Sequence, residues 1–130
     1  MSNLIRVFLV DDEVLFVESL TKVLRKREML IKSCNSGAEA IEILRTETFD
    51  VIVLDIKMPG MDGVATLKEI RKKGITTPVI ILSGHMDIER VNDVLKIGAT
   101  ELLLKPCDTE TLVNTIEDAH NRCWISDNLF

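Results

Sequence analysis

Three apolar runs dominate the chain: residues 4–10 (LIRVFLV), 51–54 (VIVL) and 79–82 (VIIL) show little or no alternation of apolar and polar positions. That is the pattern of strands buried on both faces, as in the middle of a parallel sheet. Residues 29–33 form a shorter, more polar strand, nearer an edge, and residues 101–104 a fifth. Between the strands the period changes to that of helices. Over residues 14–27, Val17, Leu20 and Leu24 make an apolar stripe, and Lys22, Arg25, Lys26 and Arg27 crowd the end where cations suit the helix dipole. Ser36 and Glu39 match a capping box that opens a helix to residue 45 through Ala40, Ile41 and Leu44. A third helix runs from Gly63 to residue 73, with Leu67 and Ile70 inward, Lys68, Glu69, Arg71 and Lys72 outward, and Gly74 as its stop. A fourth spans residues 87–96, with Ile88, Val91 and Leu95 on one face and Gly98 at its end. Asp108 caps a last helix that carries Leu112, Ile116, Ala119 and Cys123 on one face.

Five strands alternating with five helices demand right-handed crossovers and a parallel sheet covered on both faces, an α/β fold. At 130 residues the chain is one domain. Residues 123–130 (CWISDNLF) stand apart, an apolar tail that either packs back on the domain or begins something further along.

Composition narrows the function classes. The net charge of −5 argues against nucleic-acid binding by this domain. The apolar runs are far shorter than a membrane span, and the first nine residues lack the apolar core and cleavage site of a signal peptide. Cys34, Cys107 and Cys123 are odd in number and widely spaced, so they form neither a metal-binding pair nor a disulfide framework. Structural thiols in a reduced, cytoplasmic setting are the simplest account.

The chemistry gathers at the strand ends. The first strand ends in Asp11, Asp12 and Glu13; the third in Asp55, followed by a loop marked by Pro59, Gly60 and Gly63; the fourth in Ser83; the fifth in Lys105. Parallel strands deliver these ends to one edge of the sheet, where ligands of open α/β sheets bind. If the first strand lies between the second and third, the three aspartates converge. Their mutual repulsion then requires a proton on one of them or a cation among them, and an all-oxygen site suits a hard divalent ion, Mg²⁺ foremost. Asp55 would attack phosphorus as the nucleophile, Lys105 would pair with a phosphoryl oxygen, and the Ser83 hydroxyl would reach another. Each residue has a plainer reading. Asp55 could cap the next helix or satisfy loop amides, Asp11 and Asp12 could be a helix N-terminal acid pair, Ser83 a turn residue, and Lys105 a solvated cation. Their joint appearance at alternating strand ends is what the plainer readings explain poorly.

The motifs VDDE at residues 10–13, DIKMPGMDG at 55–63, LSG at 82–84 and KP at 105–106 resemble those of response-regulator receiver domains of two-component signalling, over about residues 4–122. The resemblance implies a flavodoxin-like (βα)5 sheet in strand order 2-1-3-4-5, with the first and last helices on one face. It implies that Asp55 accepts phosphate from the phosphohistidine of a sensor histidine kinase. Mg²⁺ would be bound by Asp12, Asp55 and the Lys57 backbone carbonyl, with Asp11 helping directly or through water, and Lys105–Pro106 would be a cis peptide. Lys57 and His85, two residues after Asp55 and Ser83, stand where the family tunes acyl-phosphate hydrolysis; solvated loop side chains are the alternative. Two positions depart from the family pattern. Leu102 replaces the usual aromatic switch residue, so signalling there would go by packing, and Cys107 stands where a phenylalanine is common.

The expected function is thus a phosphorylation-activated signalling switch, not a metabolic enzyme. It would catalyse its own phosphorylation and dephosphorylation and use the face over residues 87–122 to control an output domain, a partner protein or a homodimer. Residues 1–122 would be the receiver, and 123–130 a tail at the start of a linker to an output domain. Two rivals remain: a receiver-like interaction module independent of phosphorylation, and an aspartate-nucleophile phosphohydrolase of the haloacid-dehalogenase kind. Lys57 occupies the place where that hydrolase needs its general acid.

Overall fold

The computed structural model describes residues 4–58, 60–84 and 88–129, with the backbone alone at residues 88–89 and 123–129. Its elements follow in the order β1 (Arg6–Val10), α1 (Val14–Lys26), β2 (Leu30–Cys34), α2 (Gly37–Leu44), β3 (Val51–Leu54), α3 (Gly63–Lys72), β4 (Val79–Ser83), α4 (Ile88–Ile97), β5 (Glu101–Leu104) and α5 (Thr109–Leu129). All four strand pairings are parallel, and the sheet order is β2-β1-β3-β4-β5. The expected flavodoxin-like topology is therefore present, with β1 between β2 and β3.

The continuous apolar runs follow from two cores, one on each side of the sheet. Phe8, Val10, Ile52, Leu54, Val79 and Ile81 point to the side covered by α2, α3 and α4. Val7, Leu9, Val51, Val53, Ile80 and Leu82 point to the side covered by α1 and α5. Side chains alternate along a strand, so a strand covered on both faces has no polar positions to spare. β2 lies at the edge and is largely exposed.

Helix boundaries carry their own chemistry. The Ser36 side chain accepts from the Glu39 amide at 3.2 Å, as the capping pattern requires. α3 is capped by Asp62, which accepts from the Ala65 amide at 2.9 Å, so Asp55 is not its cap. Gly74, with φ of +81°, follows α3 in a left-handed conformation, and Gly98, with φ of +116°, follows α4.

Two expectations need correction. On α4 the fully buried residue is Val94, whereas Leu95 is half exposed and Val91 half-buried; the Ile88 side chain lies outside the described residues. Arg71 does not point out into solvent. It donates to the carbonyls of Ile75 and Thr77 at 2.8 Å and to that of Gly98 at 2.8 and 3.2 Å. These carbonyls belong to turns that have no ladder partners, which is why a guanidinium is drawn under them. Past residue 122 the backbone stays helical, as α5 continues to Leu129.

Candidate functional site

The site is built at the carboxyl edge of the sheet by the ends of β1, β3, β4 and β5. The ladder fixes the first two. The Asp55 amide donates to the Val10 carbonyl at 2.9 Å, and the Asp11 amide to the Cys34 carbonyl at 3.2 Å. Asp11 and Asp55 are thereby held side by side, 1% and 4% exposed. Asp12 is half buried beside them, and carboxylate oxygens of Asp11, Asp12 and Asp55 all lie within 4.8 Å of one another.

Gly63 is what lets the loop after β3 turn back so tightly. Its amide donates to the Ile56 carbonyl at 2.8 Å. A Cβ there would stand 2.3 Å from the Asp55 carbonyl oxygen and 2.5 Å from the Ile56 Cα. The position was legible as a loop marker but not as a close approach, because the atoms it meets come from β3's own end.

The electrostatics follow from the crowding. Burial pushes the Asp55 carboxyl up to about 6, and Asp11 adds to the rise; Lys105 and the Lys57 amide pull it back. The Lys57 amide reaches Asp55 Oδ1 at 3.4 Å, so one plainer reading of Asp55, a partner for loop amides, is partly true. Lys105 arrives from the end of β5 through a cis Lys105–Pro106 peptide. Its ammonium lies 2.8 Å from Asp11 Oδ2, 2.9 Å from Glu13 Oε1 and 3.9 Å from Asp55 Oδ2. Burial alone would lower its pKa, but the hydrogen bonds to Asp11 and Glu13 and the fields of Asp11 and Asp55 outweigh it, and the net shift is upward. The Phe16 ring lies 4.3 Å from the same nitrogen, in cation–π contact.

Ser83 is fully buried at the end of β4, and its carbonyl accepts from the Lys105 amide at 2.9 Å, tying the two strand ends together. The Lys57 side chain is exposed. Leu102 is half buried and packs against the core on the α2–α3–α4 side, while Cys107 packs against the other. His85 lies outside the described residues. The structure thus brings Asp11, Asp12, Asp55 and Lys105 together. Two contributors, Glu13 and Phe16, had no role assigned from sequence. The signal was their spacing, three residues apart on the first turn of α1, hence on one side of it.

The donor set suits a hard divalent cation. It is all oxygen, partly buried, and carries three carboxylates against one ammonium, with the strain visible in the raised Asp55 pKa.

Comparisons with known proteins agree with this architecture. A family model described as "Response regulator receiver domain" matches residues 7–117. The transcriptional regulatory protein ZraR of Escherichia coli K12 is 36% identical over 115 residues, which are 88% of this chain and 26% of that protein. The DNA-binding transcriptional regulator NtrC of the same organism is 36% identical over 113 residues, 87% of this chain and 24% of that protein. The chain therefore spans about a quarter of the length of these curated relatives. Among solved structures, the receiver domain of the Francisella response regulator 1452 superposes with a TM-score of 0.86 at 31% identity, covering 92% of this chain and 98% of that one. With its five-stranded parallel sheet and its aspartates at one edge, this chain belongs to the response-regulator receiver-domain family.

Proposed function

We propose that this receiver is a phosphoacceptor switch in which Asp55 takes a phosphoryl group from a phosphohistidine of a sensor histidine kinase. The observation that carries the proposal is the convergence of the Asp11, Asp12 and Asp55 oxygens within 4.8 Å, with the Lys105 ammonium 3.9 Å from Asp55. An Asp55 oxygen attacks phosphorus, the N–P bond of the donor breaks, and the freed imidazole nitrogen keeps the electron pair and takes a proton from solvent. The product is an acyl phosphate, later cleaved by water. Mg²⁺ bound by Asp11, Asp12, Asp55 and the Lys57 carbonyl would neutralise charge on the carboxylates and the phosphoryl oxygens. Lys105 would pair with one phosphoryl oxygen and the Ser83 hydroxyl with another, so positioning and charge neutralisation do most of the work. Lys57 and His85 would govern the access of water to the acyl phosphate.

Turnover of this kind serves signalling, and the chain is read as a switch, not a metabolic enzyme. Its signalling face would be α4, β5 and α5, acting on an output domain, a partner protein or a second copy, with Leu102 transmitting by packing. Residues 1–122 would be the receiver and 123–130 the start of a linker. Among the described residues no helix is long and apolar enough to cross a membrane, in keeping with work beside a cytoplasmic kinase. A phosphohydrolase of the haloacid-dehalogenase kind is disfavoured because Lys57, exposed and cationic, stands where its general acid belongs.

The test is beryllofluoride with Mg²⁺, followed by amide NMR, and acetyl phosphate followed by mass spectrometry. A saturable complex and a labile adduct, both lost in Asp55→Asn, are expected. A wild-type protein that behaves like Asp55→Asn would remove the proposal.

A further inference from the structure

Lys105 is already held away from Asp55 before any phosphoryl group arrives. Two of its contacts are charge-assisted hydrogen bonds, to Asp11 at 2.8 Å and Glu13 at 2.9 Å, and an aromatic face covers it at 4.3 Å. Asp55, at 3.9 Å, lies beyond hydrogen-bond reach. To come within hydrogen-bond reach of Asp55 the ammonium must move, and movement toward Asp55 strains the two contacts that now hold it. The Asp11 side chain is 2% exposed and the Glu13 side chain 62%. A carboxylate left behind in the interior suffers a large desolvation penalty, whereas one facing water is readily solvated. The contact that breaks is therefore the one to Glu13.

A second observation concerns the cost to α1. Glu13 occupies the N-cap position of that helix with extended backbone angles, yet its side chain makes no capping hydrogen bond. Ser, Thr, Asp or Asn there would satisfy an orphan amide of the first turn. Glutamate instead carries its carboxylate across to the end of β5. A local preference given up in this way marks a site where another requirement prevails.

We propose that Glu13 is a positioning residue, a latch that holds the Lys105 ammonium away from Asp55 until the phosphoryl group competes for it. The latch rests on the phosphoacceptor reading and adds a regulator to it. It sets how readily the resting protein accepts phosphate, without touching the reacting atoms. Phe16 guides the same movement passively, since its ring offers the ammonium no directional bond.

Two substitutions separate a latch from a simple repulsion between Glu13 and the incoming anion. Glu13→Gln keeps the reach and removes the charge. Glu13→Asp keeps the charge and shortens the reach by one methylene, about 1.5 Å, and its carboxylate is free to cap α1 instead. With a latch, both variants bind beryllofluoride plus Mg²⁺ more tightly than wild type, by about twofold to fivefold, the size of a part-exposed ion pair. In the metal-free proteins both also shift the Lys105 ammonium signal in a nitrogen-15 NMR spectrum and speed its exchange with solvent. Tighter binding in Glu13→Gln with wild-type behaviour in Glu13→Asp would mean repulsion across space and would overturn the latch. Unchanged affinity in both, with wild type still binding, would overturn it too and leave the phosphoacceptor reading standing. A wild-type protein that fails to bind beryllofluoride, like Asp55→Asn, would overturn both.

Discussion

Asp55 is held in a place where its charge is costly. Its pKa is pushed up from 3.8 to about 6, mainly by burial and then by Asp11. The sign of the consequence follows from proton uptake. Below about pH 4 the group is protonated in both the folded and unfolded chain and costs nothing; between about 4 and 6 folding takes up a proton; as pH rises through about 6 the folded protein must carry the buried charge, and that share of stability is lost. Metal-free Asp55→Asn should therefore be more stable than wild type at pH 8, by up to about 3 kcal/mol for a shift of two pKa units, with the gap closing at pH 4. Urea midpoints in EDTA at the two pH values check this, and equal midpoints at pH 8 would contradict it. The same proton competes with a divalent cation, so Mg²⁺ affinity should fall as pH drops below about 6, measurable by calorimetry. Gly63 makes a second demand at this scale. Gly63→Ala forces its Cβ against the Asp55 carbonyl oxygen, 2.3 Å away, and should cost about 1–3 kcal/mol, as overpacking does. Since the neighbour that must move is the backbone of Asp55, beryllofluoride affinity should fall with it. A variant of unchanged stability and affinity would show that the turn has slack.

At the scale of elements, Arg71 is the least anticipated connection. From the last turn of α3 it binds three carbonyls, two in the α3–β4 connection and one at the end of α4. Burial lowers its pKa, and its hydrogen-bond partners among the described residues are all carbonyls, whose dipoles face the charge. Arg71→Met keeps most of the apolar stem and removes the donors. It should cost about 1–3 kcal/mol, the desolvation of buried acceptors left unmet, and should raise amide exchange at Gly98 and Ala99, where α4 ends. Exchange raised uniformly over the protein, with no excess there, would count against a local clamp. Periodicity could not reveal this contact. It marked Arg71 as outward by its place in the helix, while the carbonyls it satisfies belong to loops 4 to 27 residues away. The same limit applies to α4, where Val91 and Leu95 fit a helical stripe but it is Val94 that is fully buried in the core shared with α2 and α3, while Leu95 is half exposed.

For the whole molecule, the two cores share one sheet, so neither face should unfold alone. Leu67→Ala on the α3 side and Ile116→Ala on the α5 side, both fully buried, should each cost about 2–5 kcal/mol and shift one common transition, seen by circular dichroism and by amide signals from both faces. Separate transitions would mean that the faces are independent units. Much of this architecture is legible in the chain itself. Continuous apolar strands, helices with one apolar stripe and the breakers between them are local patterns, and they dictate a parallel sheet with Asp11, Asp12, Asp55, Ser83 and Lys105 at one edge, because strand direction alone decides at which end a residue emerges. What local pattern cannot carry is the distance between side chains that approach from different strands. Tertiary structure alone decided that Lys105 rests on Asp11 and Glu13 and stops short of Asp55, that Gly63 presses on the backbone of the residue it serves, and that Asp55 titrates near 6. Those are consequences of burial and of charges brought within a few ångströms, and both exist only once the sheet has closed.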